Sequence, residues 1–174
     1  MTEQTQPLVS GYPAAFVRAV GRLLDNEGGY SDDTRDRGEE TKYGISKREY
    51  PELDIKSLTR EQAVGIYYRD WWTRYGYSKL PGAVGAKLFD LAVNIGPGHA
   101  TRCLQRALRA CGRKIGEDGV LGEQTVGAVV AANQLALIAG LRAEAAGYYR
   151  LLAAEQHDKA NADFLSGWLN RAYE

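Results

Sequence analysis

Apolar residues recur at helical spacing along nearly all of this chain, and the main break in that pattern is the stretch 29–45. Before it, Phe16, Val17, Val20, Leu23 and Leu24 fall on one face of a 3.6-residue period. Pro13 opens that helix at a position where its missing N–H costs nothing, and Gly28-Gly29 ends it. Within 29–45, Gly, Asp, Ser and Thr dominate, and Tyr30 and Tyr43-Gly44-Ile45 supply the apolar character. That composition predicts turns and a short hairpin of two or three strands.

After the break the helical period returns. Thr59 and Gln62 form a capping box for a helix that should run to about residue 75. Pro81-Gly82 interrupts the chain before a helix over 83–95, where Val84, Leu88, Leu91 and Ile95 make one stripe. Phe89 and Val93 widen that stripe, which predicts a central, mostly buried helix. Further helices are expected over 99–111, ending at Gly112, over 123–132, and over 134–156 with Ile138, Leu141, Ala145, Tyr148 and Leu152 in line. A last helix carries Phe164, Leu165, Trp168 and Leu169, and Glu117-Asp118-Gly119 reads as a turn. The fold class is mainly α with a small β-hairpin.

Composition narrows the function. Of 174 residues, 22 are Lys or Arg and 22 are Asp or Glu, so the net charge is zero, which argues against bulk binding to nucleic acid or to a membrane surface. No apolar run approaches the ~20 residues of a membrane span, so stable membrane insertion is not expected. Residues 1–10 read as a polar, flexible arm without the features of a secretory signal. The expectation is a chain made in a cytoplasm, with delivery by a separate system if its substrate lies outside. Cys103 and Cys111 sit in one helix, ~12 Å apart by helical rise, too far for a disulfide. They read as small hydrophobes. Only His99 and His157 are available as imidazole ligands, and neither has ligand spacing around it, so no metal and no cofactor are expected.

Glu27 carries the most chemical information. It follows Val20 by seven residues, Leu23 by four and Leu24 by three, which places its carboxylate on the apolar stripe of the first helix. A carboxyl beside apolar surface resists ionisation, as a general acid at neutral pH must. Gly28 and Gly29 leave room beside it for a substrate to approach. Asp36 follows by nine residues across the hairpin and Thr41 by five more. Glycosidases use two carboxyl groups, one as acid and one as base or nucleophile. A helix end can hold the first and a folded-back hairpin the second, while a Thr hydroxyl orients a water. Asp32 and Asp33 compete for the base role, although Ser-Asp-Asp reads as turn chemistry.

Glu27-Gly28-Gly29-Tyr30, Asp36-x-Gly38 and Thr41-Lys42-Tyr43-Gly44-Ile45 together resemble glycoside hydrolase family 108, the N-acetylmuramidases of phage endolysins and related bacterial proteins. The order Glu, Asp, Thr also resembles the triad of the wider phage lysozyme superfamily. Asp70-Trp71-Trp72, Leu80-Pro81 and the run from Phe89 to Gly98 are similar to the middle of that family. Leu104-Gln105-Arg106-Ala107-Leu108, Asp118-Gly119-Val120-Leu121-Gly122, Thr125 and Gly167-Trp168-Leu169-Asn170-Arg171 resemble the predicted peptidoglycan-binding region usually fused to it. One departure is visible: the family pattern after the Asp has two glycines, and this chain has Gly38-Glu39.

The resemblance implies a lysozyme-like two-lobed α+β fold, with a catalytic lobe over 11–82 and a helical, peptidoglycan-binding lobe over 83–174 packed with it as one unit. It implies cleavage of the β-1,4 bond between N-acetylmuramic acid and N-acetylglucosamine. Glu27 would be the acid, Asp36 the base or electrostatic partner and Thr41 the residue that positions water, in an inverting displacement by analogy with phage lysozymes. Peptidoglycan strands are the implied partner and a monomer the simplest state. A secreted effector would add an immunity protein, whereas an endolysin would be released through a separate pore. Action would follow in the periplasm or cell wall.

Tyr30 and Tyr43 flank the triad and are expected to line the cleft. Of Trp71 and Trp72, at most one should be exposed. Asn94, one turn after Asp90 on an otherwise apolar helix, is a candidate for hydrogen bonding to an N-acetyl group, and Asp90 reads as structural. Arg102, Arg106 and Arg109 form a stripe that is either a solvated face or a contact for anionic wall polymers. Two other functions compete: a lytic transglycosylase acting on the same bond, and a non-catalytic wall-binding module.

Overall fold

The computed structural model describes residues 11–26, 30–31, 40–155 and 159–173. The chain forms two compact units, Met1–Arg74 and Tyr75–Glu174. Among the described residues the architecture is mainly helical with one two-stranded antiparallel sheet.

In the first unit, helix α1 spans Ala14–Asn26. Its stripe is buried as the spacing predicts, at Phe16, Ala19, Val20, Leu23 and Leu24, and Val17 is half-buried. Strands β1 (Thr41–Lys42) and β2 (Ile45–Ser46) pair with Thr41 opposite Ser46 and Lys42 opposite Ile45. Helix α2 covers Arg60–Ile66, and its capping box is present: the Thr59 hydroxyl accepts from Gln62 N at 3.2 Å, and the Gln62 side chain accepts from Thr59 N at 2.8 Å. The helix then widens. Tyr67–Thr73 is π-helical, where a uniform α-helix to about residue 75 was expected. That run, Tyr-Tyr-Arg-Asp-Trp-Trp-Thr, is crowded with rings, two of which pack on the same residue of α1. Tyr68 meets Tyr12 and Phe16 at 4.6 and 5.0 Å between centroids, and Trp72 meets Phe16 at 5.4 Å. Trp72 is buried and Trp71 half-buried.

In the second unit, a single 3₁₀ turn at Tyr77–Lys79 precedes α3 (Gly82–Ile95), α4 (Pro97–Ala110), α5 (Glu123–Val130), α6 (Gln134–Glu155) and α7 (Lys159–Tyr173). Helix α3 buries Val84, Leu88, Phe89 and Leu91, so its role as a core helix follows the sequence pattern. Ile95 and Val93 are only half-buried. Helix α4 starts two residues earlier than expected, because Pro97 occupies the first turn after Gly96, whose φ is +83°. Helix α6 packs on α3, α4 and α7. Its buried row is Leu137, Leu141, Ala145 and Tyr149; it contains Leu141 and Ala145 of the expected stripe, whereas Ile138, Tyr148 and Leu152 are only half-buried. Contact on several sides decides that register. At Gly140 a Cβ would stand 3.3 Å from the Ala107 Cβ, so glycine permits the close approach of α4 and α6. Cys103 and Cys111 are free thiols, and burial pushes the Cys103 thiol up to about 11.

Candidate active site

Both candidate carboxylates, Glu27 and Asp36, lie outside the described residues. The elements that flank them in sequence are described. Helix α1 ends at Asn26, one residue before Glu27. The preceding residue, Asp25, pairs with Arg60 at 2.7 Å and ties the end of α1 to the start of α2. On the far side of Asp36, the chain returns to a short ladder. Ser31 and Thr41 form an antiparallel bridge in which each N–H donates to the other's carbonyl at 2.9 Å. Thr41 also sits opposite Ser46, so it is the middle position of three paired segments. Ser31 and Thr41, which bracket Asp36 in sequence, are thus paired to each other.

The hairpin is held in an unusual way. Tyr43 and Gly44 are the two turn residues, with φ of +55° and +73°. Positive φ at both positions is what a two-residue hairpin of the right twist requires. Glycine takes that conformation without cost, but a tyrosine does not. Two contacts offset the strain. The Tyr67 hydroxyl, on the first turn of the π-helix, donates to the Tyr43 carbonyl at 3.0 Å, and the Lys42 ammonium stands 5.6 Å from the centre of the Tyr43 ring. Lys42 Nζ also donates to the Lys56 carbonyl at 2.8 Å. The other candidate cleft residue, Tyr30, is part exposed and donates its hydroxyl to Glu40 Oε1 at 2.7 Å.

The first unit thus places Thr41 on a small ladder, with Tyr30 next to its Ser31 partner in sequence and Tyr43 in its turn. Asn94 belongs to the second unit, half-buried in the last turn of α3. Asp90 stands 3.8 Å from the largely buried Lys87 ammonium, which also donates to the Arg171 carbonyl at 2.5 Å and so joins α3 to α7. Three residues were missed by the sequence reading: Tyr67, Lys42 and Glu40. Glu40 had a signal, since a carboxylate immediately before Thr41 is visible in the sequence. Tyr67 had none, because its partner lies 24 residues away.

The arginine stripe of α4 is used within the unit. Arg106 pairs with Glu117 at 2.6 Å and Arg109 with the same carboxylate at 3.6 Å, while Arg102 donates to the Asp118 carbonyl at 3.3 Å. Beside them the fully buried Gln105 donates to Asp118 Oδ1 at 2.7 Å and accepts from Gly119 N at 2.9 Å. Asp118 Oδ1 further accepts from Val120 N at 2.8 Å, closing a local turn. Gly119 has φ +78°, and a Cβ there would lie 3.0 Å from the Gly98 carbonyl, so this turn requires glycine. Glu117 and Asp118 are both held below the usual carboxylate range, chiefly by Arg106 and by Gln105 respectively. This polar knot fixes the segment between α4 and α5.

Residues 20–96 match the glycosyl hydrolase 108 family, and residues 99–173 match the predicted peptidoglycan domain. The chain therefore carries a glycosyl hydrolase 108 segment over residues 20–96, followed by the predicted peptidoglycan domain. The hairpin lies in that segment, and the Gln105 knot lies in the peptidoglycan domain. The structure of Brucella abortus SagA is similar over 90% of this chain and 88% of that one, with a TM-score of 0.71 and 25% sequence identity. The mainly helical architecture with its small sheet is a lysozyme-like α+β fold. No curated protein matches the chain. A glycosyl hydrolase segment followed by a peptidoglycan domain points to a peptidoglycan hydrolase. No described helix is long and apolar enough to cross a membrane.

Proposed function

We propose that this chain is an N-acetylmuramidase, which hydrolyses the β-1,4 bond between N-acetylmuramic acid and N-acetylglucosamine and so lyses bacterial walls. Glu27 protonates the glycosidic oxygen, Asp36 acts as base or electrostatic partner, and Thr41 positions the attacking water. Tyr30 and Tyr43 contact the glycan, and Asn94 bonds an N-acetyl group. The observation that supports this most is the placement of Thr41, paired on one side with Ser31 and on the other with Ser46. A hydroxyl carried on a doubly paired strand residue has little freedom, which suits it to orienting a water. The chain acts in the periplasm or wall, reached through a separate pore or secretion machine. An immunity protein accompanies it if it is an effector.

The test is mass spectrometry of products released from purified peptidoglycan by wild type and Glu27→Gln. Muropeptides ending in reducing N-acetylmuramic acid are expected from the wild type. Glu27→Gln should lower the rate by about 10²–10⁴, the usual contribution of a general acid. Products with 1,6-anhydro ends would make the protein a lytic transglycosylase. Binding to the wall without cleavage by either protein would leave only a binding module.

A further inference from the structure

Residues 1–74 contain a cavity of about 430 Å³ that the proposed chemistry does not use. Tyr12, Tyr50 and Tyr68 line it, together with Leu53, Leu58 and Ile66. Its lining runs from Tyr12, just before α1, along α2 from Gln62 to Ile66 and on to Arg69.

Its chemistry narrows the ligand. The Tyr12 and Tyr68 rings meet edge to face at 4.6 Å and 61°, so two aromatic walls are fixed in place. The Tyr50 hydroxyl donates to Asp70 at 3.0 Å, which keeps its lone pairs available as acceptors. Arg69 also reaches the cavity, and its Nε and Nη2 donate to the Asp70 carboxylate at 2.7 and 2.8 Å. That pairing compensates the guanidinium charge and leaves its Nη1 donors unused by Asp70. The wall is thus neutral overall, offers donors and acceptors, and is largely apolar inside. Such a site suits an uncharged molecule with hydroxyls, one apolar ring face and a small apolar substituent, and the volume is in the range of small-molecule pockets.

Gly65 is a second, independent sign. It sits in α2 on the cavity wall, with no positive φ to explain it. A Cβ built there would meet only the Tyr12 hydroxyl, at 3.9 Å, an ordinary contact. Neither packing nor backbone conformation demands glycine, and its effect is to keep the cavity open.

We infer that this cavity is a second saccharide-binding site that takes an N-acetylhexosamine unit, with the acetyl methyl among Leu53, Leu58 and Ile66 and the ring against the tyrosines. The choice of sugar rests on the proposed muramidase function; the existence of the site does not. On a polymer substrate it would hold one stretch of strand while another is cut.

The test is two-dimensional NMR of the full chain carrying Glu27→Gln, titrated with N,N′-diacetylchitobiose and separately with cellobiose. Saturable shifts are expected at the amides of Leu53, Gly65, Ile66 and Tyr68, with cellobiose binding at least tenfold more weakly because it lacks the acetamide. Adding Gly65→Leu should fill the cavity and weaken these shifts at least tenfold while shifts at the hairpin persist. Gly65→Ala, which the contacts accommodate, should weaken them less. No saturable shift around Gly65, or shifts unaltered by Gly65→Leu in a folded protein, would remove the site. Equal binding of cellobiose would overturn the ligand class. Loss of the muramidase reading is seen separately, as equal wall cleavage by wild type and Glu27→Gln.

Discussion

Tyr67→Phe isolates one atom that couples the π-helix to the hairpin carrying Thr41. The ring stays, so packing is conserved, and only the 3.0 Å hydrogen bond to the Tyr43 carbonyl is removed. One neutral hydrogen bond of this kind contributes ~0.5–1.5 kcal/mol net. Stability should therefore fall by about 1 kcal/mol, or ~2–4 °C in Tm for a chain of this length. Activity should fall as well. Tyr43 is held at φ +55°, a conformation that costs a non-glycine residue ~1–3 kcal/mol. Removing a tether of about 1 kcal/mol should let the turn relax and lower kcat about fivefold, since tenfold corresponds to ~1.4 kcal/mol. Tyr43→Gly added to Tyr67→Phe should restore Tm, because glycine adopts positive φ without strain. It should not restore turnover if the Tyr43 ring contacts the glycan. Thermal melts and initial rates on purified sacculi, over the wild type, both single variants and the double variant, give the complete cycle. Wild-type turnover in Tyr67→Phe despite lowered Tm would refute the coupling of the hairpin to catalysis. A double variant no more stable than Tyr67→Phe would refute the strain at Tyr43.

Gln105→Leu keeps the buried volume but strips the knot between α4 and α5. It deprives the Gly119 N–H of its acceptor, and should cost ~1–3 kcal/mol, read as a lower urea midpoint and faster amide exchange at Gly119 and Val120. Acid should loosen the same turn in the wild type: Asp118 and Glu117 are held below their usual range, so their contribution is complete above about pH 4 and is lost as pH falls through the lowered values. Exchange at Val120 that does not rise below that pH would count against this account. Thr41→Val, which suits a strand as well as threonine does, should leave Tm within about 1 °C by the size of a surface substitution. Its turnover should drop about a hundredfold, on the scale of one positioned transition-state hydrogen bond, and unchanged turnover would remove Thr41 from the water-positioning role.

Features decided by neighbours in sequence were legible before the structure. The α1 stripe, the Thr59–Gln62 capping box, the presence of a short hairpin within 29–45 and the break at Pro81 each depend on residues close to each other in sequence. What was not legible depends on distant partners. The π-helix over Tyr67–Thr73 reflects where Tyr12, Phe16 and the Tyr43 carbonyl lie, and no residue type specifies it. The arginines of α4 read as a solvated or wall-facing stripe because their acceptors, Glu117 and Asp118, come from a loop whose path the helical period does not encode. Helix α6 buries Leu141 and Ala145 of its apparent stripe but not its ends, because it packs on three helices and a single-face pattern cannot rank them. At the site the sequence named Thr41, which lies on the ladder, Tyr30 and Tyr43, which lie beside it in sequence, and Glu27 and Asp36, which lie outside the described residues.

The described parts suggest how precision is divided in the first unit. Each end of the two stretches that carry the candidate carboxylates is attached to something regular: α1 before Glu27, the Ser31–Thr41 bridge on both sides of Asp36. The Asp25–Arg60 pair, largely at the surface, adds little stability of its own, as surface ion pairs do, but it links the end of α1 to the start of α2. The hairpin is fixed more firmly, by backbone pairing on two sides and by Tyr67. Ladder hydrogen bonds and a buried phenol are insensitive to salt, whereas an ion pair is screened. If Glu27 takes its position from α1 and Thr41 from the ladder, raising ionic strength should disturb the acid's side of the site before the water-positioning side. The order of loss, not its size, then distinguishes a site built on two supports of different physical character from one built on a single rigid element.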